Sequence, residues 1–242
     1  HGARPMFLPC LMELIWEYRV LLLAGTAVTI QLAIGSLFLS VVLGLIGASA
    51  KLAKNPVSQR IAAGYTTLVR GVPDLVLMML LFYGGQQIVN DLGSATGLWD
   101  YVEINQLTAG IASIGFVFGA YMTETFRGAI LAIPRGQIEA GISCGMMPFT
   151  IFYRITWPQM VRHALPSFTN NWLVLVKATA LVSVIGLHDL VWNASTAARS
   201  FRPAQSFTFM FAVLIIYLIL TAISDVGLRW LDRRYSTGVR RT

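Results

Sequence analysis

Long apolar runs separated by short polar, mostly basic segments set the pattern of this chain. The first run covers residues 20–50. It exceeds the thickness of a bilayer, which predicts a tilted or protruding helix. Lys51, Lys54 and Arg60 follow it. A second apolar stretch, 61–89, is interrupted by Arg70-Gly71-Val72-Pro73-Asp74. Proline lacks a backbone donor and clashes with the preceding turn, so a kink or helix boundary is predicted there. Residues 56–70 then read as an amphipathic lead-in and 75–86 as the crossing itself. Residues 90–105, polar and acidic with Gly93 and Gly97, read as a loop. The third run is 106–130, the fourth 167–187 and the fifth 207–228. Residues 134–166 read as a connecting loop, 189–205 as a polar segment and 229–242 as a basic tail.

This pattern predicts an all-α integral membrane protein with about five spans. Composition agrees. Of 242 residues, 56% are hydrophobic and 12% charged, with mean hydropathy +0.67; a soluble domain carries roughly twice that charged fraction. The net charge of +7 flanks apolar spans and forms no stripe for nucleic acid. Cys10 and Cys144 are isolated, so neither a disulfide framework nor metal-ligand spacing is expected. The native start is expected at Met6 or Met12, and the first apolar run is too long for a cleavable signal peptide. Lys and Arg in short loops mark the cytoplasmic side. With residues 1–19 outside, the inner face gathers Lys51, Lys54, Arg60, Arg127, Arg135, Arg154, Arg162 and the tail arginines. Arg4, Arg19, Arg199 and Arg202 remain outside, beside the acidic Asp91, Asp100 and Glu103. That orientation puts 134–166 in the cytoplasm.

Ionisable residues within apolar spans are costly and usually pair or line a passage. Lys177 lies eleven residues past Pro166, near the midplane at about 1.5 Å per residue. It reads as a gate or substrate group, or as half of an ion pair with Asp74 or Glu124. Asp74 follows the Pro73 break and suits either a helix cap or recognition of a cationic group. Glu124 and Arg127 are three apart and can pair with each other. Gly115 and Gly119 form a small-xxx-small pair for close helix packing. His163 and His188 have no ligand spacing and read as loop residues. No G-x-x-x-x-G-K-[ST] phosphate cradle occurs, so an energy-coupled role requires a separate ATPase.

Between the third and fourth runs stands Glu139-Ala140-Gly141-Ile142-Ser143-Cys144-Gly145, continuing to Ile155-Thr156-Trp157-Pro158. This resembles the EAA loop of bacterial ABC-importer permeases: Glu-Ala-Ala, three residues, Gly, nine residues, Ile, one residue, Leu-Pro. Glu139, Ala140, Gly145, Ile155 and Pro158 are in register, whereas Gly141 replaces Ala and Trp157 replaces Leu. Gly141 and Gly145 are four apart, as if on one helical face that another surface approaches closely. The segments 64–78, 119–129, Asn170-Asn171-Trp172, 177–183 and 233–239 are also similar to the polar amino-acid branch of that family, most of all to its basic amino-acid importers.

The resemblance implies a type I importer permease without catalytic residues or a metal site of its own. Glu139, Ala140, Gly141, Gly145, Ile155 and Pro158 would couple it to an ATPase. Asp74, Glu124, Lys177, Thr179 and Ser183 would lie near the passage. Implied partners are a homologous second permease forming a heterodimer, two copies of an ATP-binding subunit that holds ATP and Mg, and a periplasmic amino-acid-binding protein. The setting is membrane lipid of the bacterial inner membrane. Histidine, arginine, lysine or ornithine would be the cargo, with opines as the close alternative. A secondary carrier is disfavoured because no second broken helix matches the one at Pro73. An intramembrane enzyme is disfavoured because the spans hold no Ser/His/Asp set.

Overall fold

A computed structural model describes residues 16–199 and 203–235. The readings on Met6, Met12, Cys10, Arg4, Arg202, Arg240, Arg241 and the tail beyond 235 lie outside the described residues. Among the described residues, five helices are long and apolar enough to cross a membrane.

Helix α1, Arg19–Leu52, is apolar along its length and about 51 Å long at 1.5 Å per residue. Helix α4, Gln106–Leu131, is the most enclosed of the spans. It packs against α1 in parallel: Gly35 faces Ile111, Leu39 faces Gly115, and Gly47 faces Thr123, a constant offset along both helices. Small residues permit this approach. A Cβ on Gly47 would lie 2.2 Å from the Thr123 hydroxyl, and one on Gly115 2.6 Å from Leu39. The Gly115–Gly119 pair thus packs as expected, with Gly119 against Leu43 and the Tyr65 hydroxyl.

Between these parallel helices the chain returns in two pieces. Helix α2, Pro56–Gly71, starts at Asn55, whose side chain accepts from the Val57 amide at 2.9 Å. Val72 is extended, and Pro73 precedes α3, Asp74–Thr96, which contains a π-helical turn over Leu80–Gly84. The stretch 90–105, expected as a loop, is helical as far as Thr96 and stops at Gly97 with φ 66°. Its polar side chains explain the difference. Asn90 accepts from the Val102 amide at 2.9 Å, and Gln86 accepts from Ile104 at 2.8 Å while donating to the Val102 carbonyl. They staple the following loop onto the helix instead of breaking it.

Helix α5, Arg135–Ser143, is short. Helix α6 then runs over Pro148–Ile185, so the expected loop 134–166 is largely helical and the fourth span begins well before 167. Pro148 occupies the first turn. A π-helical turn, Phe152–Thr156, precedes Trp157–Ala178. Pro158 closely follows that π-helical turn, and Pro166 stands within the regular helix beyond it. His163, expected in a loop, is on this helix. The last segment, Thr179–Ile185, is a 3-10 helix ending at Gly186 with φ 88°. The polar segment 189–205 contains a further helix, α7, Leu190–Arg199. The final span is α8, Pro203–Tyr235.

The core joins α1, α3, α4 and α6 through Leu32, Met78, Ile114, Phe118, Leu175 and Val182. A second cluster, with Leu22, Leu190 and Phe209, ties α7 to α1 and α8. Large apolar side chains on the outer faces of α1 and α8, such as Phe38 and Ile223, stay exposed, as lipid contact requires.

Candidate functional site

The EAA-like segment forms α5 and its junction with α6. Helix α5 ends in a Schellman arrangement: the Gly145 amide donates to the Ile142 carbonyl at 2.9 Å and Met146 to Gly141 at 3.0 Å. Gly145 has φ 73°, the left-handed region that glycine tolerates without penalty. It lies beyond the helix end, so Gly141 and Gly145 do not share a helical face as expected. Gly141 is buried against α6, where an added Cβ would sit 3.0 Å from Ile155 and 3.3 Å from Ile151. Its small size therefore serves packing within this chain. Half-buried Ile155 is the other side of that contact, and Gln159 donates to Gln137 across the same junction. Glu139, Ala140 and Pro158 are exposed. So are Ile142, Met147, Phe149 and Tyr153, at 61%, 75%, 78% and 66%. The junction thus presents an acidic residue and several exposed apolar side chains on a segment fixed to α6.

The ionisable residues of the spans fall in three places. Glu124 on α4 is bonded by Lys51 from the end of α1 and by Arg127 at 2.9 Å. The expected Glu124–Arg127 pair forms, and Lys51 completes it. These cations occupy the carboxylate, so Glu124 is not a partner of Lys177 and offers no free charge to a passage. The Lys51 contact also places the end of α1, with Lys51 and Lys54, beside the end of α4 that leads to α5. The basic corner and the Glu139 segment therefore share one membrane side.

Asp74 stands half-buried in the first turn of α3, where its charge favours the helix dipole as expected, but its side chain makes no capping hydrogen bond. Near that helix start the Arg70 guanidinium lies over the ring of Tyr121 on α4, at 5.5 Å. Arg70 and Tyr121 were not singled out from sequence; the break beside Arg70 was the available signal.

Lys177 is exposed and has no ion-pair or hydrogen-bond partner among the described residues. Its depth follows from its neighbours. Asn171 donates to Thr125 at 3.0 Å and Val182 packs on Gly110, so Lys177 lies level with the middle of α4. His163, Ser167, Asn170 and Lys177 are all exposed at helical spacing, a polar stripe on a membrane helix. Thr179 and Ser183 do not extend it. Thr179 is fully buried, donating to the Val176 carbonyl at 2.6 Å and lying 3.1 Å from the Tyr217 hydroxyl. Ser183, half-buried, donates to Ala180 at 2.6 Å. Both hydroxyls satisfy the tight geometry of the 3-10 segment.

One buried acid escaped the sequence reading. Asp189 is 0% exposed; Oδ1 accepts from the Trp192 amide at 2.8 Å while Oδ2 has no partner. Burial pushes its carboxyl from 3.8 up to about 6. The helix start after Gly186 was the available signal.

The family described as "binding-protein-dependent transport system inner membrane component" matches residues 18–237. The chain is 46% identical over 228 residues to the histidine/lysine/arginine/ornithine transport system permease protein HisQ of Escherichia coli (strain K12), covering 94% of this chain and 99% of that protein. It is 38% identical over 220 residues to the octopine transport system permease protein OccQ of Rhizobium meliloti, covering 91% and 92%. Among solved structures, an amino acid ABC transporter crystallised with histidines superposes with TM-score 0.75 at 28% identity, over 91% of this chain and 96% of that one.

Proposed function

Since the chain belongs to the family of binding-protein-dependent transport system inner membrane components, we propose that it forms half of the translocation pathway of an ATP-driven importer of basic amino acids. The observation that carries this reading is the polar stripe of α6, with Lys177 unpartnered at mid-membrane depth. A lone ammonium facing hydrocarbon is too costly to keep, so a second polar surface or a water-filled passage must cover it. A homologous permease related by a pseudo-twofold axis supplies that surface. Lys177 then faces the passage and suits a substrate carboxylate, and Asp74 at the start of α3 suits the cationic end. The protein sits in the inner membrane with α5 in the cytoplasm, which the basic corner at Lys51 and Lys54 supports. ATP and Mg bind to two ATPase copies that dock on the exposed α5–α6 junction with Glu139. A periplasmic binding protein delivers the substrate to the other face. The chain itself carries no catalytic residue.

Histidine, arginine, lysine and ornithine are favoured over opines because the HisQ relative is closer than the octopine one. Uptake by the reconstituted complex tests this. With the matching binding protein, labelled arginine or histidine is accumulated in an ATP-dependent manner, and excess octopine or glutamate does not compete. Uptake of glutamate but not arginine removes the cationic assignment, and competition by octopine alone moves the protein to the opine branch.

A further inference from the structure

An apolar groove separates α1 from α2, on the membrane side that holds the basic corner. Leu43, Ile46, Ala50, Ile61, Ala62 and Phe116 line it. Its volume is about 340 Å³. The polar groups at its ends are already bonded. The Ser58 hydroxyl donates to Asn55 at 2.9 Å, and the Tyr65 hydroxyl donates to the Phe116 carbonyl at 2.5 Å. A polar ligand would therefore find no free donor or acceptor inside. The mouth differs. Lys54 and Arg60 flank the α1–α2 corner, both exposed, and neither has a carboxylate partner among the described residues. The one acid nearby, Glu124, is taken by Lys51 and Arg127. Helix α2 also turns Val57, Ile61 and Leu68 outward, 60%, 69% and 61% exposed, as the first half of a membrane crossing does.

We infer that this groove holds one acyl chain of an anionic phospholipid, with the phosphate held at Lys54 and Arg60. The interior accepts only hydrocarbon, and the entrance offers two uncompensated cations at the depth where headgroups lie. A zwitterionic lipid would fill the groove equally well but would lose the charge match at its mouth. An unpaired basic pair over an apolar slot is therefore selective for negative headgroups. The site joins the long span to the first half of the return crossing, so the lipid would brace α2 against α1.

Photolabelling tests the assignment. The purified protein, with whatever subunits co-purify, is placed in phosphatidylcholine nanodiscs holding a minor fraction of diazirine-tailed phosphatidylglycerol. Adducts are mapped by peptide mass spectrometry. Adducts are expected to concentrate within residues 43–65 and to fall at least fivefold in the double variant Lys54→Glu/Arg60→Glu. Diazirine-tailed phosphatidylcholine is expected to label that region weakly in both proteins. Equal labelling by the two lipids in the wild-type protein overturns the proposal, leaving only bulk lipid at the groove. Absence of adducts from 43–65 also overturns it and points to coverage by another protein chain. The wild-type comparison of the two lipids decides the matter even if the double variant does not fold.

Discussion

Replacing Asp189 by Asn isolates the cost of a buried charge. The folded protein holds this carboxyl at about 6 against 3.8 in the unfolded chain. A raised acid is bound more tightly to its proton in the folded state. Its contribution to stability is therefore fully present below about pH 4, declines as pH rises through about 6, and is constant above that. A gap of about two units corresponds to about 3 kcal/mol. Asparagine keeps an oxygen to accept from the Trp192 amide, 2.8 Å away in the native protein, so the start of α7 survives. The variant does not titrate. Relative to the wild type it is thus expected to gain about 2 kcal/mol between pH 4 and pH 6.5, most of that total. The measurement is thermal unfolding of both proteins in detergent across that range, read as the difference between the two curves, which cancels the other acids. A gain of several degrees in the variant's relative midpoint is expected. A flat difference would mean that water reaches Oδ2, and the buried-charge reasoning would fail. A relative loss would show that the ionised form is the stabilised one.

Three further outcomes follow from the site geometry. Gly145→Val must place a β-branched residue at φ 73°, which costs about 1–2 kcal/mol and unravels the end of α5; reconstituted complexes should keep ATP hydrolysis while losing most uptake, whereas normal uptake would exclude α5 from coupling. Gly141→Ala meets only the tip of Ile155 and gains helix propensity, so it should be neutral or stabilising by under about 1 kcal/mol, while Gly141→Leu should cost about 1–3 kcal/mol by overpacking, both read from unfolding midpoints. Glu124→Gln leaves Lys51 facing Arg127 without a counter-charge. It should cost about 2 kcal/mol, below the full price of a broken buried pair because Arg127 is 36% exposed, and a double-mutant cycle with Lys51→Met should recover much of it.

What the sequence revealed was local or periodic. The Pro73 break, the five apolar runs and the depth of Lys177 follow from one residue's chemistry or from counting along a helix. The partner of Glu124 could not be read that way, because Lys51 is 73 residues distant. The fit of Gly141 against Ile155 depends on how α5 folds back, and spacing alone suggested a different face. Pro158 and Pro166 looked like loop residues. A π-helical turn ahead of Pro158 lets the helix pass through, and hydropathy carries no sign of such a turn. Polar residues misled at 90–96 because Gln86 and Asn90 spend their hydrogen bonds on the loop that comes after them.

Helix α6 reaches from the α5 junction to the level of Lys177 without a connecting loop. If ATPases grip α5, the closing of their dimer is felt by the wall of the passage in the same stroke. Slippage between fuel use and gating could then arise at the wider turn Phe152–Thr156 or at Pro166, the two interruptions of regular α-helix along that shaft below Lys177. Stiffness there would set how faithfully each nucleotide spent becomes one molecule carried.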